Sequence, residues 1–252
     1  MLGRLGETIL EWIWPSDLYC VCCGEIIDSG AEFTLCRKCA KELQWVGESH
    51  CRRCGKPMGQ FLGENPQIQN KVLCSDCRQG RTIRRGFISL VYDGAEREMI
   101  HRFKFEDKPY YGPALASMMA KTLQEKVSSD CLVVPVPMHR KKMRRRGYDQ
   151  AVILAKALAK KMDLLFLGDV LVRYHATEPM MNLKGFGRVR NVEDAFCVTD
   201  RGVGKIAGRK VLLVDDIYTS GSTADACAKV LLSAGAKEIY LAAAASGYGS
   251  WV

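Results

Sequence analysis

No apolar run in this 252-residue chain approaches the roughly 18–20 residues that a membrane span requires, so insertion into a bilayer is not expected. An export signal is missing as well. Arg4, Glu7 and Glu11 interrupt the apolar positions near the start of the chain, which read as an amphipathic helix instead. Internal repeats and low-complexity segments are absent. Together these absences predict a soluble, cytoplasmic protein. Its 48% hydrophobic content suffices for one α/β domain with a smaller module beside it. Lys and Arg number 37 against 28 Asp and Glu, a net charge of +9, which favours phosphate-bearing partners and fits a plain basic surface equally well.

Cysteine, by contrast, is plentiful and unevenly placed. Eight of the 12 form C-x-x-C pairs: Cys20/Cys23, Cys36/Cys39, Cys51/Cys54 and Cys74/Cys77. Two residues between thiols let both sulfurs of a tight turn point at one ion, and two such turns complete a tetrahedral thiolate site for zinc. Gly24 and Gly55 directly follow two of these pairs, as in a zinc knuckle. A disulfide framework fits a reduced compartment poorly. A site closed by four thiolates leaves no position for substrate, so the zinc is expected to be structural, supplying folding free energy to a segment with few large apolar residues. Spacing leaves open which pairs share an ion and whether there are one or two ions. Cys22 is a spare thiol, and Cys131, Cys197 and Cys227 sit in apolar patterns as core fillers.

The pattern changes near residue 86, giving an expected zinc-binding module over 1–85 and an α/β domain over 86–252. "FISLVYDG", "CLVVPVPM", "KVLLVDDI" and "EIYLAAAA" read as strands, with shorter candidates at "DVLVR" and "DAFCVT". "AEREMIHRFKF", "YGPALASMMAKTLQEKV", "YDQAVILAKALAKKM" and Ser222 to Ala234 read as helices. Alternating strands and helices with tight connections predict a parallel sheet covered by helices.

One stretch carries chemistry, "VLLVDDIYTSGSTADA". A strand ending at Asp216, a loop of Thr219, Ser220, Gly221, Ser222 and Thr223, and a helix after it place backbone N–H groups where a phosphate binds. No Lys follows the glycine, which excludes a Walker A loop. Acids beside a phosphate must face sugar hydroxyls or a cation, and a ribose 5-phosphate meets both conditions. The plainer alternative is a strand end with Ser222 as helix N-cap. The basic stretch His139 to Arg146 follows another strand as a loop. It suits a pyrophosphate, a nucleic-acid backbone or solvent alone.

"VLLVDDIYTSGST" resembles the signature of type I phosphoribosyltransferases, which bind phosphoribosyl pyrophosphate (PRPP) with Mg²⁺. Four C-x-x-C pairs, then "VPVPMHRKKMRRRGYDQ", then "RVRNVEDAF" are similar in order to the ComF family, associated with natural competence. The resemblance implies a type I phosphoribosyltransferase-like parallel sheet with flanking helices behind a zinc-ribbon-like module. It implies that Asp215 and Asp216 hold the ribose hydroxyls, with magnesium, and that Thr219 to Thr223 hold the 5-phosphate. Arg140, Lys141, Arg144 and Arg146 would line the pyrophosphate, with Asp149 in place of the family's Asn. The segment from Arg173 to Phe196 is similar to a mobile lid, with Lys184, Arg188 and Asn191 as its polar residues and Met180 near the place of a usual Gln; an exposed basic loop is the alternative.

Two features weigh against a complete enzyme. Purine-salvage relatives carry a carboxylate three residues after the second acid, where this chain has Thr219, so no catalytic base is identified. Only Ser246 to Val252 follow the last strand, too few for a hood over a nucleobase. An acceptor would be met by the zinc module, by Tyr92, Tyr110 and Tyr111, or by a partner. Two functions therefore stand: phosphoribosyl transfer from PRPP to an unknown acceptor, or a single-stranded DNA-binding accessory protein that retains a sugar-phosphate pocket. Competence-machinery proteins are the implied partners.

Overall fold

The computed structural model describes residues 18–28, 30–59, 72–106, 108–173, 186–190 (backbone only) and 196–250. The expected N-terminal amphipathic helix lies outside them, as do Lys184 and Asn191 of the expected lid. None of the helices among the described residues is long and apolar enough to cross a membrane.

Five parallel strands form the centre: β1 (Arg85–Val91), β2 (Leu132–Pro135), β3 (Leu165–Phe166), β7 (Lys210–Tyr218) and β8 (Glu238–Ser246), in the order β1-β8-β7-β2-β3. Their residues are apolar on both sides. Val211 and Leu213 of β7 face one cluster, Leu212 and Val214 the other, as a sheet with two covered faces requires. A small antiparallel sheet of β4 (Leu171–Arg173), β5 (Phe186–Arg190) and β6 (Phe196–Thr199) stands beside it in the order β4-β6-β5.

The ribbon segment contributes two short helices, α1 (Arg37–Glu42) and α2 (Ser75–Arg78). Helices α3 (Gly94–Phe105), α4 (Tyr111–Leu123) and α6 (Gln150–Met162) cover one face of the central sheet. Local chemistry sets their ends: Asp93 accepts from Gly94 N (2.8 Å) to start α3, and Asp163 ends α6 in the left-handed region. The other face is covered by α8 (Ser222–Ser233), with α7 (Asp200–Ile206) after β6. Helix α4 stops at Leu123, earlier than its apolar pattern suggests.

The expected basic loop is a helix, α5 (Arg140–Arg146). Arg, Lys and Met are good helix formers, and nothing within the stretch interrupts them until Gly147, at φ 75°, ends the turn. The strand expected to end at Asp216 continues to Tyr218, because β8 keeps pairing with it as far as Tyr218↔Ser246.

Both cysteine clusters sit against this body, one on each face. Cys20 and Cys39 pack into the apolar cluster that holds α4, whereas Cys51, Cys54, Cys74 and Cys77 join the cluster that holds α8. Between them the chain runs along the sheet edge. Trp45 bridges Leu90 in antiparallel sense, flanked by hydrogen bonds from Val46 N to Ser89 O (2.9 Å) and from Val91 N to Gln44 O (2.8 Å).

Candidate functional site

From β7 the chain passes through α8 to β8 on one side, and from β2 through α5 and α6 to β3 on the other. Helices α6 and α8 cover opposite faces, so the two crossovers diverge between β2 and β7. A crevice opens at the carboxyl ends of parallel strands at such a point, and it is where ligands of α/β sheets bind. Here it is a cavity of about 170 Å³, bordered by Val136 to His139 after β2, by Asp215 and Asp216 of β7, and by Thr223 of α8.

The acids lie within β7 rather than after it. Asp216 N donates to Asp215 Oδ1 (2.8 Å), and Ile217 N donates to Asp216 Oδ1 (2.6 Å). Burial, then the neighbouring Asp216 charge, pushes the Asp215 carboxyl up to about 8, against the lowering effect of the Asp216 amide and of Lys104. Lys104 of α3 pairs with Asp216 at 2.9 Å. Asp149 caps α6 by accepting from Val152 N (3.2 Å) and also accepts from Met138 N (3.2 Å). Its carboxyl is raised by burial, which outweighs those donors.

Two guanidinium groups complete the walls. Arg146 donates from Nη1 to Gln150 Oε1 (3.0 Å), lies over the Phe105 ring at 4.7 Å, and has a buried Nε without a partner. Arg173, at the end of β4, lies over Phe196 at 5.1 Å and likewise keeps a buried, unpartnered Nε. Both line the cavity. Buried donors of this kind favour an anion that accepts from them.

The loop after β7 turns through Gly221, at φ 80°, where a Cβ would overlap the Tyr218 hydroxyl. Gly221 itself is the N-cap of α8, so Ser222 does not cap the helix. Ser220 Oγ and Ser222 Oγ stand 2.9 Å apart, and Ser220 Oγ accepts from Ser222 N (3.4 Å). The first turn of α8 presents the amides that a helix start leaves without intrahelical partners.

Of the expected basic residues, Arg146 lines the cavity and Arg144 is exposed; the side chains of Arg140 and Lys141 lie outside the described residues. Arg188 lies on β5, of which only the backbone is described. Tyr111 is buried and Tyr110 half exposed. Sequence reasoning missed Lys104 and Arg173. Lys104 reads as a helix-end cation suited to the dipole, and Arg173 as an isolated charge after a short strand. Neither carries a motif.

The paired cysteines form two clusters in consecutive pairing, Cys20/Cys23/Cys36/Cys39 and Cys51/Cys54/Cys74/Cys77, with the sulfurs of each within 4.8 Å of one another. Cys23 and Cys36 Sγ are 3.7 Å apart, as are Cys54 and Cys74 Sγ. Zinc–sulfur bonds of about 2.3 Å at tetrahedral angles call for nearly that separation. Gly24 and Gly55 hold the left-handed turns after the first pair of each cluster, at φ 78° and 76°. Cys39 N donates to Cys36 Sγ (3.4 Å) and Cys74 N to Cys51 Sγ (3.3 Å), contacts that stabilise thiolate charge. The donor sets fit structural zinc.

Residues 9–78 match the family model of a double zinc ribbon domain, and residues 148–251 match that of a phosphoribosyl transferase domain. Among curated proteins the chain is similar to competence protein F of Haemophilus influenzae, at 27% identity over 82% of this chain and 82% of that protein. It is 26% identical to competence protein ComFC of Bacillus subtilis over 80% of this chain and 79% of the relative. It is 26% identical to the DNA utilization protein YhgH of Salmonella typhi over 81% of this chain and 87% of the relative. With the ribbon and transferase models matched in this order, and relatives aligned across both, the chain carries a double zinc ribbon followed by a phosphoribosyl transferase domain and is similar over about four fifths of its length to these competence and DNA utilization proteins.

Proposed function

We propose that the cavity binds PRPP together with Mg²⁺. The observation that carries this reading is the convergence, at one sheet crevice, of an acid pair, a helix-start loop and two guanidinium groups with unpartnered buried donors. Asp215 and Asp216 accept from the ribose 2- and 3-hydroxyls, and the amides of Ser220 to Thr223 hold the 5-phosphate. Arg146 and Arg173 donate to the pyrophosphate, and Lys104 offsets the acid pair. Magnesium, when bound with the ligand, screens the pyrophosphate charge and stabilises its departure. Transfer breaks the C1–O bond, pyrophosphate leaves with the bonding pair, and an acceptor lone pair forms the new bond at C1. The chain's own part is electrostatic, with preorganised cations beside the leaving oxygens. Thr219 offers no carboxylate to take the acceptor's proton, and the departing pyrophosphate, which leaves with the bonding pair, is the base at hand to accept it.

Calorimetry with PRPP and Mg²⁺ tests the site. Binding by the wild type that disappears in an Asp215→Asn, Asp216→Asn double variant supports it, and equal affinity refutes it.

A second activity, binding of single-stranded DNA, is favoured by the outward face of α5. Arg144 and Arg145 are exposed there, whereas Arg146 turns into the cavity. Relatives named for competence and DNA utilization support placing that activity in DNA uptake.

A further inference from the structure

The second cysteine cluster reaches the loop after β7 through a continuous set of contacts. Arg53, between Cys51 and Cys54, donates from Nη1 to the carbonyl oxygen of Arg81 (3.1 Å). The Arg81 guanidinium, itself mostly buried, donates from Nη2 to Ser220 O (2.9 Å) and lies 3.9 Å from Asp225 Oδ2. Asp225, buried in the first turn of α8, accepts from Thr82 N (2.6 Å), and its own N–H donates to Gly221 O (2.8 Å). Lys56 comes from the same ribbon and is paired with its Asp76 at 2.8 Å. It stands 5.6 Å from the centre of the Tyr218 ring, on which Gly221 rests.

The grip on Ser220 O has a stereochemical consequence. The Ser220–Gly221 peptide is planar, and no cis bond occurs among the described residues, so the Gly221 N–H points opposite to the Ser220 carbonyl. Arg81 holds that carbonyl toward the ribbon and so aims the Gly221 N–H away from it. Glycine tolerates either orientation of a flanking peptide, so without Arg81 this one is free to rotate and turn a carbonyl toward an incoming anion.

We propose that Arg81 and Asp225 are positioning residues through which the second ribbon fixes the phosphate loop, so that sugar-phosphate affinity depends on zinc in the Cys51/Cys54/Cys74/Cys77 site far more than on zinc in the first. The proposal rests on reading Ser220 to Thr223 as the 5-phosphate site. The first ribbon packs on the opposite face of the sheet. The pyrophosphate donors Arg146 and Arg173 lie on elements other than this loop.

The test compares wild type, Arg81→Ala, Asp225→Asn, Cys74→Ser and, as the first-ribbon control, Cys23→Ser. Each is assayed for zinc content, for calorimetric affinity toward ribose 5-phosphate and inorganic pyrophosphate, and for amide hydrogen exchange over residues 219–225. Arg81→Ala is expected to keep both zinc ions, to weaken ribose 5-phosphate about tenfold while pyrophosphate changes less than about twofold, and to speed exchange in the loop. Asp225→Asn, which retains an acceptor for Thr82 N, should show a smaller loss of the same kind. Cys74→Ser should lose the second zinc ion and show the same affinity and exchange changes as Arg81→Ala, and Cys23→Ser should not. Unchanged exchange and affinity in Arg81→Ala, or an equal loss from Cys23→Ser, overturns the coupling. A wild type that binds neither anion refutes the ligand reading instead. Loop exchange then decides the coupling alone, faster in Arg81→Ala if it holds and unaltered if it does not.

Discussion

Lys104 Nζ lies 2.9 Å from Asp216 Oδ2, with both side chains largely shielded from solvent, and the pair ties the last turn of α3 to β7 at the cavity. An ammonium here offsets the Asp216 carboxylate and lowers the cost of bringing a phosphate near the acid pair. Lys104→Met should therefore weaken pyrophosphate binding about tenfold, measured by calorimetry without added metal. Undiminished affinity would show that the acids and the anion do not share a field.

Asp215 predicts a dependence on pH. Its carboxyl is raised to about 8 in the folded chain, chiefly by burial and then by Asp216, with Lys104 and Asp149 as the other charged groups acting on it. The unfolded chain releases this proton near 4, so between about pH 4 and 8 the folded state binds more protons. Stability of the ligand-free protein should accordingly fall as pH rises through that window, lowering Tm by several degrees. Asp215→Asn should flatten the slope, and Lys104→Met should move its upper limit above 8. Melting curves from pH 5 to 9 decide it; a slope retained in Asp215→Asn would assign the effect to another group.

The two ribbons should bind one zinc ion each, and metal analysis of purified protein should return two per chain. Cys51 and Cys54 are fully buried while Cys23 is exposed, so their losses should differ in cost. Cys51→Ser with Cys54→Ser should prevent cooperative folding, whereas Cys23→Ser should lower Tm by several degrees and leave a folded protein with one tightly held ion. Wild-type protein that folds and melts unchanged without metal would contradict both expectations.

Helix α5 should divide its arginines between two ligands. Replacing Arg144 and Arg145 with Ala should reduce the salt dependence of single-stranded DNA binding by up to about 1.4 logarithmic units, at roughly 0.7 per phosphate, and leave pyrophosphate affinity unchanged. Arg146→Ala should do the reverse, with a roughly tenfold loss of pyrophosphate. If either variant impaired both ligands alike, the two faces would not be separate sites.

The zinc clusters were legible because thiolate chemistry tolerates few spacings, and the sheet because its strands are apolar on both faces. Their pairing was not, since consecutive and crossed arrangements use the same spacings and only the path of the chain along β1 separates them. The acid pair and the glycine loop stood out as a local motif, but the strand's extension to Tyr218 depended on pairing with β8, which no local pattern in β7 announces. Helix α5 was hidden by its charge: a run of Lys and Arg suggests a loop beside phosphate, although the same side chains are sound helix formers. Lys104 and Arg173 reach the cavity from elements remote from β7, and each is an unremarkable cation until the fold brings it there. Arg81 was equally silent, because its partner is a backbone carbonyl 139 residues away.

The run of chain from Gln44 to Val46 along β1 has a consequence for how this protein can be divided. A sheet has two outer strands, and this one treats them differently: β3 is two residues long and offers almost nothing to pair with, while β1 is seven residues long and buried in all but its first residue. An open edge of that length is a template for another copy of itself. A fragment starting near residue 86 would keep every element of the sheet yet lose the segment that closes its flank, so it should form soluble oligomers or precipitate rather than behave as an isolated unit. The ribbons, in this view, keep the molecule monodisperse whatever else they bind.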